Sequence, residues 1–246
     1  MKLLMDIGNS RLKWVVENNG SLGAVESLDY RRSEFLNGLT QRWRSISVPE
    51  KIAITSVSGK SVLCGVTELC KTLWPNVSVL IPRSTDHAFG VTSAYDSPEK
   101  LGIDRWLALI ASHKQYTGNE CVVDCGTAIT IDALQANGKH LGGVICPGLV
   151  MMKKALASDT ADLPFNTQPY SLRMASNTSA AIANGVLFAA VGLINNVVQR
   201  LEGDYQLVLT GGDAEIIAES LATPFILDKK LVLKGLSICC SGEQAA

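Results

Sequence analysis

The chain has 246 residues, of which 47% are hydrophobic and 18% charged, values typical of a folded protein with one large or two ordinary domains. Its net charge of -1 divides into +3 over residues 1–115 (14 basic, 11 acidic) and -4 over the remainder (8 basic, 12 acidic), without a long basic run. Intrinsic disorder and electrostatic binding to nucleic acid or an anionic membrane are therefore not expected, and a small-molecule partner is favoured.

The sequence also predicts a cytoplasmic protein that does not span a membrane. The N-terminus reaches Asp6 before a signal-peptide hydrophobic region can form, and the longest apolar stretch, residues 185–194, is bounded by asparagines and predicts a buried helix. The seven cysteines are odd in number and lack paired CxxC motifs, which favours reduced thiols in a protein core.

Strand and helix patterns alternate along the first half of the chain. Residues 3–6 and 12–16 predict two strands of a hairpin, joined by the turn residues Gly8, Asn9 and Ser10. The elements expected next are a helix at 33–43, a strand at 51–55, a helix at 61–73, a strand at 77–81 and a helix at 104–116. This alternation indicates an α/β architecture.

The opening pattern then recurs. With Asp6 aligned to Asp124, an offset of 118 residues, LLMDIGNSRLKWVV lies over CVVDCGTAITIDAL, and each segment has an Asp-x-Gly turn between two strand-like runs. The sequence therefore predicts that the two halves of the chain share the same fold. The turn signal Gly118-Asn119 gives the boundary, so the expected domains are residues 1–117 and 118–246.

The second half continues with a strand at 142–148, which ends in a Pro-Gly turn, and helices at 149–157 and 180–201. A buried-type strand follows at 206–210, and Gly211 and Gly212 separate it from a short helix that begins with an acidic residue. This strand-to-helix turn suits the close approach of an adenine or ribose, although ordinary helix capping explains it equally well.

Both Asp-x-Gly turns have the groups that a phosphate site needs. Gly8 lets the backbone approach a phosphate, Asn9 and Ser10 offer donors, Lys13 can reach from the second strand, and Asp6 can hold Mg²⁺ directly or through water. The segment from Asp124 to Thr127 repeats this set, although each turn taken singly is also ordinary hairpin chemistry. The chain has no Walker A motif and no GxGxxG after a strand, which excludes a P-loop kinase and gives no sign of a Rossmann site.

A third motif, Gly102-Ile103-Asp104-Arg105, begins the predicted helix at 104–116. Asp104 is either a helix cap or a general base that accepts a proton from a substrate hydroxyl, and Arg105 is a candidate donor to a substrate carboxylate. His87, His113 and His140 lie in no motif and have no metal-ligand spacing.

Together these motifs resemble the series found in type III pantothenate kinases. They occur in the family's order, and the four segments that match are DIGNS at 6–10, GIDR at 102–105, DCGTAIT at 124–130 and GGVICPG at 142–148. The resemblance implies an α/β, actin-like or sugar-kinase-like ATPase fold of two duplicated domains with a cleft between them. It also implies ATP-dependent phosphorylation of pantothenate to 4′-phosphopantothenate, the first step of coenzyme A biosynthesis.

The resemblance further implies roles for individual residues. Asp104 is the catalytic base, Asp6 also binds Mg²⁺ directly or through water, and Asp124 binds a monovalent cation, K⁺ or NH₄⁺. The ATP-binding residues are Asp6, Ile7, Gly8, Asn9, Ser10, Arg11, Leu12, Lys13 and Thr127. The pantothenate-binding residues are Tyr95, Gly102, Ile103, Asp104, Arg105 and Thr178. Family members form homodimers, and one departure is that VTSAY lacks an asparagine expected close before Tyr95.

Two other functions stay open at this point. One is a kinase of the same fold that acts on a sugar or another carboxylate. Of these substrates, Arg105 fits one with a carboxylate better than a neutral sugar. The other is a nucleotide-binding regulator of transcription without catalytic activity. Asp6, Asp104, Arg105 and Asp124 are all present and the sequence shows no basic face, so the enzyme is preferred.

Overall fold

A computed structural model describes residues 1–31, 34–165 and 167–242, which form two compact units. Unit 1 comprises residues 1–114 and the C-terminal segment from Lys230, and unit 2 comprises residues 115–229. The division expected from the sequence placed the C-terminal segment in the second half, whereas its helix packs on the sheet of unit 1. Each unit contains strands and helices in alternation, as the sequence predicts for an α/β fold.

Unit 1 is built on a sheet with the strand order β3-β2-β1-β5-β6, in which β4 also pairs with β2. Its elements are β1 (Lys2–Ile7), β2 (Leu12–Asn18), β3 (Ser21–Leu22), β4 (Glu26–Leu28), α1 (Phe35–Trp43), β5 (Lys51–Ser56), α2 (Lys60–Leu73), β6 (Val79–Leu80), β7 (His87–Ala88), β8 (Val91–Thr92), a 3₁₀ turn (Pro98–Lys100) and α3 (Ile103–Gln115). The expected start of the first helix, Ser33, lies outside the described residues.

Unit 2 is built on a sheet with the order β11-β10-β9-β12-β13. Its elements are β9 (Asn119–Cys125), β10 (Ala128–Leu134), β11 (His140–Pro147), α4 (Leu149–Asp159), α5 (Thr178–Arg200), β12 (Tyr205–Thr210), α6 (Ala214–Ala218) and β13 (Phe225–Leu227). The last helix, α7 (Leu231–Ser241), belongs to unit 1.

The two sheets have the same topology, which bears out the internal repeat. In each, a hairpin supplies the first two strands, and the first of these also pairs with a parallel strand that comes later in the chain. In unit 1, α1 and α2 cover one face of the sheet and α7 packs on β1 and β5; in unit 2, α5 and α6 cover one face. Consecutive residues are buried along β1 (residues 3–5) and β5 (residues 52–54), a pattern typical of parallel strands that are covered on both faces.

The two hairpins differ by one residue in their turns. Ile7 pairs with Leu12, whereas Cys125 pairs with Ile129, so the constant offset of 118 holds for the first strands and becomes 117 for the second strands. Leu12 and Ile129 are both core residues, and an offset of 118 would align Leu12 with Thr130 instead. A shift of one residue would move every side chain of a strand to the opposite face of the sheet. The shorter turn therefore keeps the apolar side chains of β10 in the core.

Helix α7 is fixed to unit 1 by specific contacts. Lys2 Nζ donates to Ser241 Oγ at 2.6 Å, and Lys51 Nζ donates to the carbonyl oxygen of Cys240 at 3.0 Å. Gly235 faces the backbone of Leu107 in α3, and a Cβ at this position would overlap the Leu107 carbonyl. The close approach of α3 and α7 therefore requires glycine.

Helix α5 contains the long apolar stretch of the sequence. By length and composition it is the single helix within the described ranges that could cross a membrane, a test that the core helix of a soluble protein also passes. Its residues Ile182, Val186, Ala190 and Ile194 are buried, three of them in the core of unit 2, at the spacing of one helical face. The helix therefore has the buried face that the sequence predicts.

Candidate active site

The first hairpin turn is held by its own hydrogen bonds. The Gly8 amide donates to the carbonyl oxygen of Arg11 at 3.1 Å, and the Tyr30 hydroxyl donates to the carbonyl oxygen of Gly8 at 2.8 Å. Asn9 and Arg11 are exposed, so their side chains are available to a ligand. The side chains of Ile7 and Leu12 are fully buried in the core, and these two residues can serve a phosphate only through their backbone.

Asp6 is the second-to-last residue of β1 and lies opposite Lys13 on β2 in the register of the hairpin. Burial raises the pKa of the Asp6 carboxyl to about 6, although Lys13 lowers it and the Asp104 carboxylate raises it. Because the Asp104 carboxylate raises the pKa of Asp6, these two acidic side chains lie within electrostatic range of each other. A carboxylate beside a lysine and a second carboxylate suits a cation with bound phosphates.

Asp104 lies in the first turn of α3, as the sequence predicts. Its Oδ1 accepts a hydrogen bond from the backbone amide of Arg105 at 2.8 Å. A Cβ at Gly102 would lie 2.7 Å from the same oxygen, so the carboxylate occupies space that only glycine leaves open. One carboxylate oxygen thus orients the side chain at the helix start, an arrangement compatible with the other oxygen serving as a base.

Arg105 and Tyr95 form a pair in unit 1. Arg105 is buried, its Nη1 donates to the Tyr95 hydroxyl at 2.7 Å, and its guanidinium carbon lies 5.5 Å from the centre of the Tyr95 ring. The hydrogen bond and the cation–π contact fix both side chains. The structure therefore brings together four of the sequence-predicted substrate residues, Tyr95, Gly102, Asp104 and Arg105, and Ile103 lies between two of them on the chain.

In unit 2, three turns are bonded to one another at the end of the sheet where Asp124 lies. The Gly126 amide donates to the carbonyl oxygen of Ala128 at 3.1 Å, the Gly148 amide to that of Thr127 at 2.9 Å, and the Asp213 amide to that of Cys125 at 2.9 Å. The Thr127 residue is exposed. The second hairpin thus offers a turn fixed by backbone hydrogen bonds.

Of the two glycines after β12, the first, Gly211, is required by its backbone conformation and its neighbours. Its φ is +99°, and a Cβ would overlap Asp124 Oδ1 and the backbone of Cys125. The Asp213 side chain makes no capping hydrogen bond to α6. Close packing on Asp124, rather than side-chain capping of the helix, therefore accounts for glycine at this turn.

Thr178 is exposed at the start of α5, and Asn177 Oδ1 caps the helix by accepting from the Ala180 amide at 2.9 Å. Thr178 lines an apolar groove of about 570 Å³ together with Pro147, Met152, Leu156, Ile182 and other residues of α4 and α5. It belongs to unit 2, whereas the other predicted pantothenate contacts belong to unit 1.

The motif analysis missed two buried polar residues near these turns. Lys153 on α4 is buried, with Nζ 4.2 Å from the centre of the Tyr170 ring, and it lowers the pKa of Asp213, which burial raises. Thr55, the second-to-last residue of β5, pairs with Asp6, and a hydroxyl directly after an apolar run is a signal that the sequence itself contains. Lys153 gives no comparable signal, because its burial depends on the packing of α4.

The other titratable groups give no alternative centre. Over the described ranges of the chain, no group of three or more His, Cys, Asp or Glu side chains could hold a metal ion. All seven cysteines are free, and burial raises the pKa of Cys70 and Cys121 to about 12. These thiols are therefore protonated at neutral pH, as expected for core cysteines.

Comparisons with known proteins show the family to which the chain belongs. The sequence model of the family "Type III pantothenate kinase" matches residues 2–200. A type III pantothenate kinase of Nitrosococcus oceani is 38% identical over 96% of this chain and 92% of that protein.

Two solved structures agree in fold. A protein of Campylobacter jejuni, described as a candidate Baf family transcriptional activator, is 26% identical with a TM-score of 0.62 over 98% of both chains. A candidate 2-dehydro-3-deoxygalactonokinase of Sinorhizobium meliloti, 14% identical, has a TM-score of 0.59 over 100% of both chains. The fold is that of the actin-like ATPases and sugar kinases, and the chain belongs to the type III pantothenate kinase family.

Proposed function

We propose that the protein transfers the γ-phosphoryl group of ATP to the primary hydroxyl of pantothenate, giving 4′-phosphopantothenate, the first step of coenzyme A biosynthesis. The observation that carries the proposal is the grouping in unit 1 of Asp104, Asp6 and the Arg105–Tyr95 pair in a chain of this kinase family. Carboxylates and a buried guanidinium are the groups needed to bind and deprotonate a hydroxyl substrate that also has a carboxylate.

Asp104 is the general base. Its carboxylate accepts the proton of the attacking hydroxyl, and the hydrogen bond from the Arg105 amide keeps it in one orientation. Lys13 and the backbone of the Gly8 turn bind phosphate oxygens, and Thr127 is a further proposed ATP contact. Phosphoryl transfer depends mainly on positioning and charge neutralisation, which these residues provide.

A divalent cation, Mg²⁺, accompanies ATP and neutralises the charge of its phosphates. The chain's residues fit it, because Asp6 is a partly buried carboxylate and the buried Thr55 hydroxyl beside it lacks a hydrogen-bond partner in the described structure. Asp6 would hold the cation directly or through water.

Asp124 is the proposed site of the monovalent cation, K⁺ or NH₄⁺. Its Oδ1 lies against Gly211 and Gly126, where the lack of side chains leaves the carboxylate and nearby carbonyl oxygens uncovered by Cβ atoms. Oxygen ligands of this kind suit a hard cation of low charge.

Pantothenate contacts Tyr95, Gly102, Ile103, Asp104 and Arg105, with Thr178 as a further contact. Arg105 donates to the substrate carboxylate, because the planar fork of a guanidinium matches the two oxygens of a carboxylate. The buried position of Arg105 strengthens this interaction relative to one in water.

The protein is further proposed to be a cytoplasmic homodimer. Unit 2 exposes large apolar side chains, among them Ile145 (62% exposed), Phe188 (45%) and Met174 (95%), and the apolar groove of Thr178 lies between α4 and α5. Exposed apolar surface of this extent suits an interface between two copies of the chain. Neither nucleic acid nor a membrane is a proposed partner.

The same residues distinguish the enzyme from the alternative function, a nucleotide-binding regulator of transcription. The Campylobacter jejuni relative is described as a candidate activator of transcription, and a regulator would need the nucleotide site but not a base or a substrate pocket. The ordered Asp104 and the Arg105–Tyr95 pair favour the enzyme.

The proposal is tested by incubating the purified protein with MgATP and candidate acceptors and weighing the products by mass spectrometry. Pantothenate should gain one phosphoryl group. Pantothenol, which has a hydroxyl in place of the carboxylate, should show a KM at least tenfold higher because it cannot pair with Arg105. Phosphorylation of a sugar but not pantothenate would contradict the proposal.

A further inference from the structure

A threonine stands beside each of the two aspartates of the duplicated sheets. Thr55 on β5 pairs in register with Asp6, and Thr210 on β12 pairs in register with Asp124. In both strands the three residues before the threonine are apolar and buried. The threonines are buried as well, with 1% and 2% exposure, so each strand places a hydroxyl where its preceding residues would predict another hydrophobic side chain.

The hydroxyl of Thr55 has no hydrogen-bond partner in the described residues, although it is buried. Buried hydroxyls are normally paired, and valine would fill the same space without leaving a donor unsatisfied. Asp6 is the neighbour at the same register and on the same face of the sheet, about 4.8 Å away between strands. The Asp6 carboxylate is therefore the acceptor that the neighbouring strand places beside this hydroxyl.

We propose that Thr55 is a positioning residue for Asp6: in the nucleotide-loaded protein its hydroxyl donates a hydrogen bond to the Asp6 carboxylate and fixes the carboxylate for the divalent cation. The inference rests on the proposed function, in which Asp6 holds Mg²⁺ with ATP. Carboxylates that bind metals are themselves held by hydrogen bonds, and losing such a partner typically weakens metal binding 10- to 100-fold.

Two substitutions separate positioning from packing. Thr55→Val keeps the shape of the side chain and removes the donor, whereas Thr55→Ser keeps the donor and removes a methyl group. If Thr55 only fills space, Thr55→Ser is the more harmful change; if its hydroxyl holds Asp6, Thr55→Val is.

Ser112 provides the matched control. It is also a fully buried hydroxyl without a partner in the described residues of unit 1, and it lies eight residues beyond Asp104 on α3, about 12 Å along the helix. Ser112→Ala therefore removes the same group at a distance from the proposed site.

The test is the affinity for Mn²⁺ in the presence of ADP, measured by electron paramagnetic resonance on each variant. We expect Thr55→Val to raise the Kd for Mn²⁺ about tenfold, with Thr55→Ser within twofold of wild type and Ser112→Ala unchanged. Thermal unfolding checks that each variant is folded. If Thr55→Val does not fold, Thr55→Ala replaces it as the variant without a donor.

The outcomes distinguish the two proposals. If wild type binds Mn²⁺ with ADP and the donor-free variants bind it equally well, the positioning role is wrong and the proposed function stands. Equal losses in Thr55→Ser and Thr55→Val would also overturn the positioning role. Failure of the wild-type protein to bind Mn²⁺ with ADP would overturn the nucleotide site and this inference with it.

Discussion

The two units share one sheet topology but differ in what they place at the matching hairpins. Unit 1 places charged side chains there, Asp6 and Lys13 across the hairpin and Asp104 within electrostatic range. Unit 2 places Asp124 there among three turns that are joined by backbone hydrogen bonds and packed closely at Gly148 and Gly211. The matching hairpins therefore differ in their surroundings: charged side chains lie near Asp6, whereas closely packed backbone surrounds Asp124.

Their cores differ in the same way. All four tryptophans of the chain, Trp14, Trp43, Trp74 and Trp106, lie in unit 1. The rings of Trp14 and Trp43 meet edge to face at 6.1 Å, and Trp74 lies 6.0 Å from Trp43. The core of unit 2 is aliphatic, with alanine and cysteine. Tryptophan fluorescence therefore reports unfolding of unit 1 separately from unit 2.

The largest expected effect is on the backbone site of unit 2. Gly211→Ala should destabilise the protein by about 4 kcal/mol, because it combines a positive φ with overlap on Asp124 and Cys125. Gly8→Ala should cost less than about 1 kcal/mol, since its Cβ would meet only the Arg11 carbonyl oxygen, at 3.6 Å. Thermal unfolding followed by circular dichroism measures both. Equal losses would contradict the contrast between the units.

The next effect concerns the chemistry of unit 1. Asp104→Asn should lower kcat about 100-fold or more, because the amide cannot accept the proton, while the Kd for ATP changes less than threefold. Steady-state kinetics and nucleotide titration measure the two quantities. Near-normal turnover would remove Asp104 from the role of base.

A smaller effect follows from the burial of Asp6. Its folded pKa of about 6 lies above the ordinary 3.8, so the folded protein binds this proton more tightly, and the associated stability is present below pH 4 and lost as the pH rises through 6. Asp6→Asn should therefore stabilise unit 1 by at most about 3 kcal/mol at pH 8 and by little at pH 4. Urea unfolding followed by tryptophan fluorescence gives the difference. A destabilised variant at pH 8 would show that the ionised carboxylate is favourable in the fold.

The smallest effect is on the monovalent cation. Asp124→Asn should reduce the ratio of activity in potassium to activity in sodium about fivefold, because the site loses its charged ligand. The ratio is measured at matched ionic strength, with Asp213→Asn as the control carboxylate of unit 2. An unchanged salt response would exclude Asp124 as the cation ligand.

Much of this account is readable in the sequence, and the exceptions have physical causes. The hairpins, the repeat and the start of α3 follow from local patterns of apolar and turn residues. The shorter second turn was readable only by matching the buried face of β10 to that of β2, since Leu12 corresponds to Ile129. The return of α7 to unit 1 and the pairing of Thr55 with Asp6 involve residues far apart in the chain, and local patterns do not report such contacts.

The most direct test of the central claim is ADP release from MgATP by the purified protein, with and without pantothenate, in potassium buffer and again in sodium buffer. The account predicts release that depends on pantothenate and falls in sodium. Folded protein that binds ATP but releases no ADP with pantothenate in either buffer would contradict the claim that it is a pantothenate kinase.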